Sequence, residues 1–231
     1  EMSGVGSFSN VYSVAFDSTD DHIDLGASST VADGGQFTLS FWIKGTAAAS
    51  GGQTYLFSAD YYNLHTFWNV REDDVIWRNI NNSVKNLSVG VLDNSWHHIL
   101  IVFNPTGANQ TIRCFTDGAN EVNVSTDYRY SITSTTYTGA LRYIGGKASS
   151  NGLNGNIDEF AIWDDDQSAN VSAIYNSGQV HDLNALSSPP VNWYRMGDGN
   201  GGTGSTVTDQ GNGGINGTLT NDAAFEEDVP S

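Results

Sequence analysis

The chain has 231 residues and carries 26 acidic against 9 basic side chains, a formal net charge of -17. It therefore has no basic stripe with which to neutralise phosphates, which argues against nucleic acid as a partner. The same surplus repels anionic lipid surfaces while supplying hard oxygen ligands for a cation such as calcium. Gly, Ser, Thr and Asn are abundant and Lys, Glu and Leu scarce, a balance that suits short strands and many turns in one large all-β domain.

Residues 1–10 are small and polar and read as a loose N-terminal arm. From Val11 to Phe16 the chain alternates into a strand, which breaks at Asp17-Ser18-Thr19-Asp20-Asp21, a turn rich in carboxylates. Ile23 and Leu25 resume the apolar phase. Phe37, Leu39, Phe41 and Ile43 then alternate with Thr38, Ser40, Trp42 and Lys44, the clearest half-buried strand in the chain. Residues 55–58 form a further short strand. The pattern weakens over 59–91, although 64–68 and 75–77 read as short strands with the acidic Glu72-Asp73-Asp74 between them.

Residues 95–103 are apolar on both faces, as a central strand would be. The longest unbroken apolar run, Ile99–Phe103, is far too short to span a bilayer, so no membrane insertion is expected. Residues 111–116 and 121–125 flank Asp117-Gly118-Ala119-Asn120, a hairpin signal because Asp-Gly tolerates positive φ. Cys114, the single cysteine, cannot form an internal disulfide and reads as a small buried hydrophobe. The chain opens with Glu1 and lacks a basic, then apolar, leader, so it is expected to be a processed product or an excerpt of something longer.

Strict alternation from Ile157 to Trp163 predicts Asp158, Phe160 and Ile162 on one face and Ile157, Glu159, Ala161 and Trp163 on the other. A carboxylate would then share a face with core residues. Buried without a partner it would cost several kcal/mol, roughly 2–7 even for a neutral polar group, so it needs a cation or several donors. Residues 167–178 predict the one helix, capped by Ser168, with Val171, Ile174 and Tyr175 on one side and Gly178 to end it. Ser187-Ser188-Pro189-Pro190 marks a boundary, after which 191–196 form a last aromatic strand before a glycine-rich stretch and an acidic tail.

Phe16-Asp17-Ser18-Thr19-Asp20-Asp21-His22-Ile23, residues 37–42 and 95–98, Phe115-Thr116-Asp117-Gly118, Tyr143-Ile144-Gly145 and residues 156–163 with the helix after them resemble, in this order, the concanavalin A-like, laminin-G-like jelly-roll domains. The resemblance implies a two-sheet antiparallel jelly-roll sandwich and a cation near the start of the strand that carries Asp158. One motif is out of place. Trp193-Tyr194-Arg195-Met196 and the run from Asp209 to Leu219 are similar to what opens such a domain, yet here they close the chain. Either a second copy begins there, or 1–231 is a single circularly permuted domain with its opening strand at 191–219; permutation is the preferred reading.

The candidate chemistry points to binding. Glycoside hydrolysis needs two acids flanking a cleft, roughly 5–10 Å apart, whereas Asp158 and Glu159 are neighbours expected to face opposite ways. The Glu-x-Asp-x-x-Glu pattern of some glucanases in this superfamily is absent. His97 and His98, adjacent on a strand, cannot share one ligand. Trp42, Trp68 and Trp77 are the candidate sugar-stacking residues.

Calcium is expected at Asp158, with Asp17 and Asp21 as the next ligands and Asp209 and Asn212 after them. The bland alternative is that Asp158 accepts backbone N–H bonds and the turn aspartates only form turns. The expected function is a non-catalytic recognition or adhesion module for a surface glycan or protein. In Ile174-Tyr175-Asn176-Ser177-Gly178 and residues 193–197 its wording resembles copies in virion proteins of marine bacteriophages, which implies an extracellular, virion-surface setting. A structural assembly domain, packed against copies of itself, and a glycan-degrading enzyme are the alternatives.

Overall fold

A computed structural model describes residues 8–17, 19–26, 36–46, 54–59, 67–71, 74–78, 84–88, 91–104, 111–118, 120–122, 141–146 and 152–231. The strands are β1 (Ser13–Asp17), β2 (His22–Asp24), β3 (Phe37–Gly45), β4 (Thr54–Ala59), β5 (Phe67–Arg71), β6 (Asp74–Arg78), β7 (Val84–Ser88), β8 (His97–Asn104), β9 (Thr111–Thr116), β10 (Asn120–Val122), β11 (Leu141–Ile144) and β12 (Asn154–Trp163). After the helix α1 (Val171–Tyr175) come β13 (Asn192–Tyr194), β14 (Thr206–Val207), β15 (Gly217–Thr220) and β16 (Ala224–Glu226). They form two antiparallel sheets in a sandwich. The first runs β10-β9-β8-β3-β12-β1-β16 with β13 also on β12, and the second runs β14-β15-β2-β11-β4-β5-β6-β7.

The inward residues of β3 and β8, Leu39, Phe41, Ile43, Ile99 and Ile101, meet Ile23, Leu56, Phe57 and Ile144 of the second sheet in one apolar core. Phe41 stacks on Phe160 at 5.4 Å, and Phe57 reaches both rings from the facing sheet, at 6.0 and 6.1 Å. Each fully buried ring of this kind contributes about 1.5–3 kcal/mol. Sheet 1 is covered on its outer side as well. There Leu100, Val102, Ala161, Trp163 and Trp193 pack against Val171, Ile174 and Leu183. This second layer is why β8 reads as apolar on both faces.

Two expectations fail locally. The helix expected from Ser168 begins only at Val171, because Ser168 donates its amide to Asp166 and Asn170 makes no side-chain cap. At the other end Asn176, with φ 49°, already leaves the right-handed helix. Strict alternation also fails in β12. The register against β3 shifts between Asp158 and Ala161, and Glu159 sits at φ 50°. The extra residue of this bulge returns Phe160 and Ile162 to the core beside Ile157, so Asp158 is not on their face as expected. Asp158 pairs with Trp42 and shares the outer face with it.

The bulge falls where one edge of β12 changes partner. Ile157 and the residues before it pair with β1, while Phe160 to Ile162 pair with β13. The chain's first and last segments therefore meet at Asp158-Glu159. Residues 1–7 of the expected loose arm lie outside the described residues, and Ser9 and Asn10 are held by hydrogen bonds, not loose. Most of the strand expected at 64–68 and the Glu72-Asp73 part of the acidic turn also lie outside the described residues. At the Asp-Gly hairpin both Asp117 (φ 48°) and Gly118 (φ 75°) adopt the positive φ that the turn requires.

Candidate functional site

The bulge in β12 collects a set of charged groups that no local motif announces. Asp158 is fully buried: its Oδ1 accepts the Glu159 amide at 2.8 Å and its Oδ2 accepts from the Asn10 side chain at 2.9 Å. Glu159, 3% exposed, accepts from the Trp193 indole at 2.6 Å and from Arg195 Nε at 3.1 Å. Arg195 also donates to Asp198 at 2.8 Å and to the Ser9 carbonyl at 2.6 Å. Its guanidinium lies 4.1 Å from the centre of the Phe8 ring, which stacks in turn on Trp193.

Two carboxyl groups, those of Glu159 and Asp198, thus share one guanidinium, with Asp158 beside Glu159 in the chain. Burial raises the pKa of Asp158 well above the usual carboxylate range, and the neighbouring Glu159 charge raises it further. Burial likewise pushes Glu159 up to about 7 against the opposing pull of Arg195, and raises Asp198. The cluster holds the Glu159 proton up toward neutral pH. Chemically it is a clamp that fastens the N-terminal segment across β13. The sequence signals for it were Asp158, a carboxylate in an apolar strand, and Arg195, one of few cations.

The residues present do not fit a calcium ion at Asp158. Both oxygens are engaged by nitrogen donors, and among the described residues no cluster of three or more carboxylate, histidine or cysteine groups converges to hold a metal. Asp17 pairs with Asn154, four residues before Asp158, or about 13 Å along the strand. Its carboxylate accepts the Thr19 amide, and that of Asp21 accepts the amides of Asp17 and Asp222. Asp209 takes the amides of Trp193, Gly211 and Ile215 and the Asn192 side chain, so it pins its own loop to β13. Asn212 is exposed in that loop. The structure does not bring the five expected ligands together.

Trp42, expected as a surface platform, is 7% exposed and lies between His98 and Tyr175, with ring centres at 5.2 and 5.8 Å. Helix α1 covers it. Trp68 and Trp77 are paired directly across β5 and β6 in the second sheet. His97 and His98 separate as expected: His97 bridges Asp117 and Asp93, while His98 Nε2 meets Ser40 Oγ at 2.8 Å.

The second sheet carries another charged group, set beside the buried Tyr143 and His22 rings. In it Asp24 and Arg142 form a two-pronged pair at 2.9 and 3.1 Å, each side chain a little over a quarter exposed. The Arg142 guanidinium lies 5.0 Å from the Tyr143 ring centre, and Tyr143 meets His22 edge-on at 5.0 Å. The guanidinium holds the Asp24 carboxyl below its usual pKa, so a fixed acceptor and a fixed donor stand side by side at neutral pH. Thr218 of β15 pairs beside Asp24 and is exposed. The sequence did not disclose this patch, whose members lie far apart along the chain.

A family model described as the concanavalin A-like lectin/glucanases superfamily, Laminin_G_3, matches residues 17–170. No curated protein matches the chain. Among solved structures, a candidate carbohydrate binding protein from Bacteroides ovatus is similar with a TM-score of 0.67 at 16% identity. That likeness covers 96% of this chain and 62% of the other, so the chain spans less than two thirds of that protein. The CBM40 of a Ruminococcus gnavus IT-sialidase (TM-score 0.54, 13% identity) covers 72% of this chain and 98% of its own. The heptameric SAP-like pentraxin of Limulus polyphemus (TM-score 0.53, 15% identity) covers 71% and 82%. At these identities the likeness is one of fold.

Proposed function

The chain belongs to the concanavalin A-like lectin/glucanases superfamily, and from that premise we propose that it is a non-catalytic recognition module that binds a surface glycan. The observation that carries this reading is the Asp24–Arg142 pair beside Tyr143 on the second sheet. A carboxylate acceptor and a guanidinium donor at fixed spacing match adjacent sugar hydroxyls, and such convergent polar groups are what orient a ligand in a binding site. Trp68 and Trp77, in register on the same sheet, are the aromatic candidates. Trp42, under α1, is withdrawn from that role. One solved structure that shares the fold is named for carbohydrate binding, which supports the reading.

The charge of -17 narrows the ligand to neutral glycans, since sulfated or uronate-rich polymers would be repelled within a Debye length of about 8 Å. Binding without cleavage is supported by Asp158 and Glu159, which are adjacent and committed to internal partners. The setting outside cells on a virion surface rests on the wording of Ile174-Tyr175-Asn176-Ser177-Gly178 and of residues 193–197 alone. A calcium requirement rests on the resemblance alone, and both oxygens of Asp158 already meet nitrogen donors.

A glycan array run with and without calcium, beside a mass measurement of oligomeric state, tests the proposal. Binding of neutral glycans is expected, with Arg142→Ala and Asp24→Ala each weakening it at least tenfold. Release of reducing ends from a polysaccharide would overturn it. Uniform silence on the array from an oligomeric chain would instead support an assembly domain.

A further inference from the structure

Between the outer side of sheet 1 and the segment after α1 lies a small cavity with about 10 Å³ of room, lined by Ser40, Trp42, His98, Glu159, His181 and Leu183 among others. His98 is 1% exposed and packs against both the Trp42 and the Tyr175 rings. Its amide is taken by Asp117 and its Nε2 by Ser40, but no group among the described residues bonds to its buried Nδ1. A buried ring nitrogen without a partner forfeits its hydration with nothing in return, so such groups are nearly always met by protein or by ordered water.

We propose that this cavity is a binding site for one water molecule, held between His98 Nδ1 and the Glu159 carboxylate. The room equals about one water-sized sphere, and a water needs two or more polar partners. A sugar does not fit, because the room is that of about one water-sized sphere. A cation is disfavoured, since Arg195 already pairs with Glu159 and burial keeps His98 neutral, with a pKa of about 4. In either neutral tautomer the water completes the set: it accepts from Nδ1–H, or donates to a bare Nδ1, and donates to Glu159. The resulting chain of bonds runs Ser40, His98, water, Glu159, Arg195 and so crosses β3, β8, β12 and the end of β13. It ties the carboxylate clamp to the strands beneath α1.

A crystal structure that resolves ordered waters tests this. A peak within about 3.2 Å of both His98 Nδ1 and a Glu159 oxygen is expected. A dry cavity, or the His181 ring turned onto Nδ1, would overturn the proposal. The His98→Leu variant, if it folds, should lose that peak and keep its neighbours, whereas a peak persisting at the same place would remove His98 as its anchor. Should the variant not fold, the wild-type density decides alone.

Discussion

Glu159 occupies a backbone conformation that a long acidic side chain rarely takes, and its surroundings explain how it is held there: both carboxylate oxygens are bonded, to Trp193 and to Arg195. Its raised pKa has a consequence for stability. The folded chain holds a proton that the unfolded one releases, so the contribution is complete below about pH 4.5 and is lost as pH rises through about 7. Asp158 acts in the same sense. His98 acts in the opposite one, with a folded pKa of about 4 against 6.5, but its effect is complete above pH 6.5. From pH 6.5 to 8 the melting temperature should therefore fall, and Glu159→Gln should flatten that fall in thermal unfolding; a rise over this range would contradict the account. Asp158 gives a second test. Since nitrogen donors meet both its oxygens, Asp158→Asn should shift the melting temperature equally with and without excess chelator. A shift that chelator abolishes would restore calcium at this position.

At the scale of elements, β12 is the strand on which the architecture turns, and its first half depends on a missing side chain. Gly155 pairs with Gly45 on one side and Phe16 on the other at φ 150°, where an added Cβ would come within 2.1 Å of the Lys44 carbonyl. Nothing flexible can yield there. Gly155→Ala should cost about 2–4 kcal/mol in denaturant unfolding, as strained backbone and overpacking each cost about 1–3; a change under about 0.5 kcal/mol would show that the strands can part. The sequence announced most strands through period-two apolarity, as in β3, or through apolarity on both faces, as in β8. It could not announce the bulge, because Glu159 takes a conformation usually marked by glycine or asparagine. Strict parity consequently assigned Asp158 to the wrong face. The short strands β14 to β16 were hidden for a different reason: two to four residues of glycine-rich or acidic chain carry no periodicity of their own. The Asp24–Arg142 pair was beyond reach because only cross-strand registry brings it together.

For the whole molecule, the last forty or so residues are structural members of both sheets. Trp193 and Tyr194 extend sheet 1 along β12, Phe225 pairs with Val14 of β1, and Leu219 pairs with Ile23 in sheet 2. Tyr194, Met196 and Val207 are buried in the main core. The two ends also run together, with Ser13 opposite Glu226 and Val11 bonded to Asp198. In an antiparallel sandwich, sheet stability depends on which strands are adjacent and far less on where the chain is cut, since a flexible connection costs only loop-closure entropy that grows slowly with length. The break before Val191 falls in the Pro189-Pro190 connection between the α1 segment and β13. If residues 191–231 are a displaced opening segment, a chain that starts at Val191, joins Ser231 to Glu1 through a short glycine-serine linker and ends at Pro190 should fold to the same two sheets. Its circular dichroism should match the parent, and its melting temperature should lie within roughly 2–4 °C, the shift that a connection change costing about 1 kcal/mol gives a domain of this size. Deleting residues 191–231 should instead leave the core open along β12 and β2 and yield no cooperative unfolding transition. A cooperative transition in the deletion would show that the segment is dispensable to a complete domain, and an unfolded permutant would refute the displaced-opening reading.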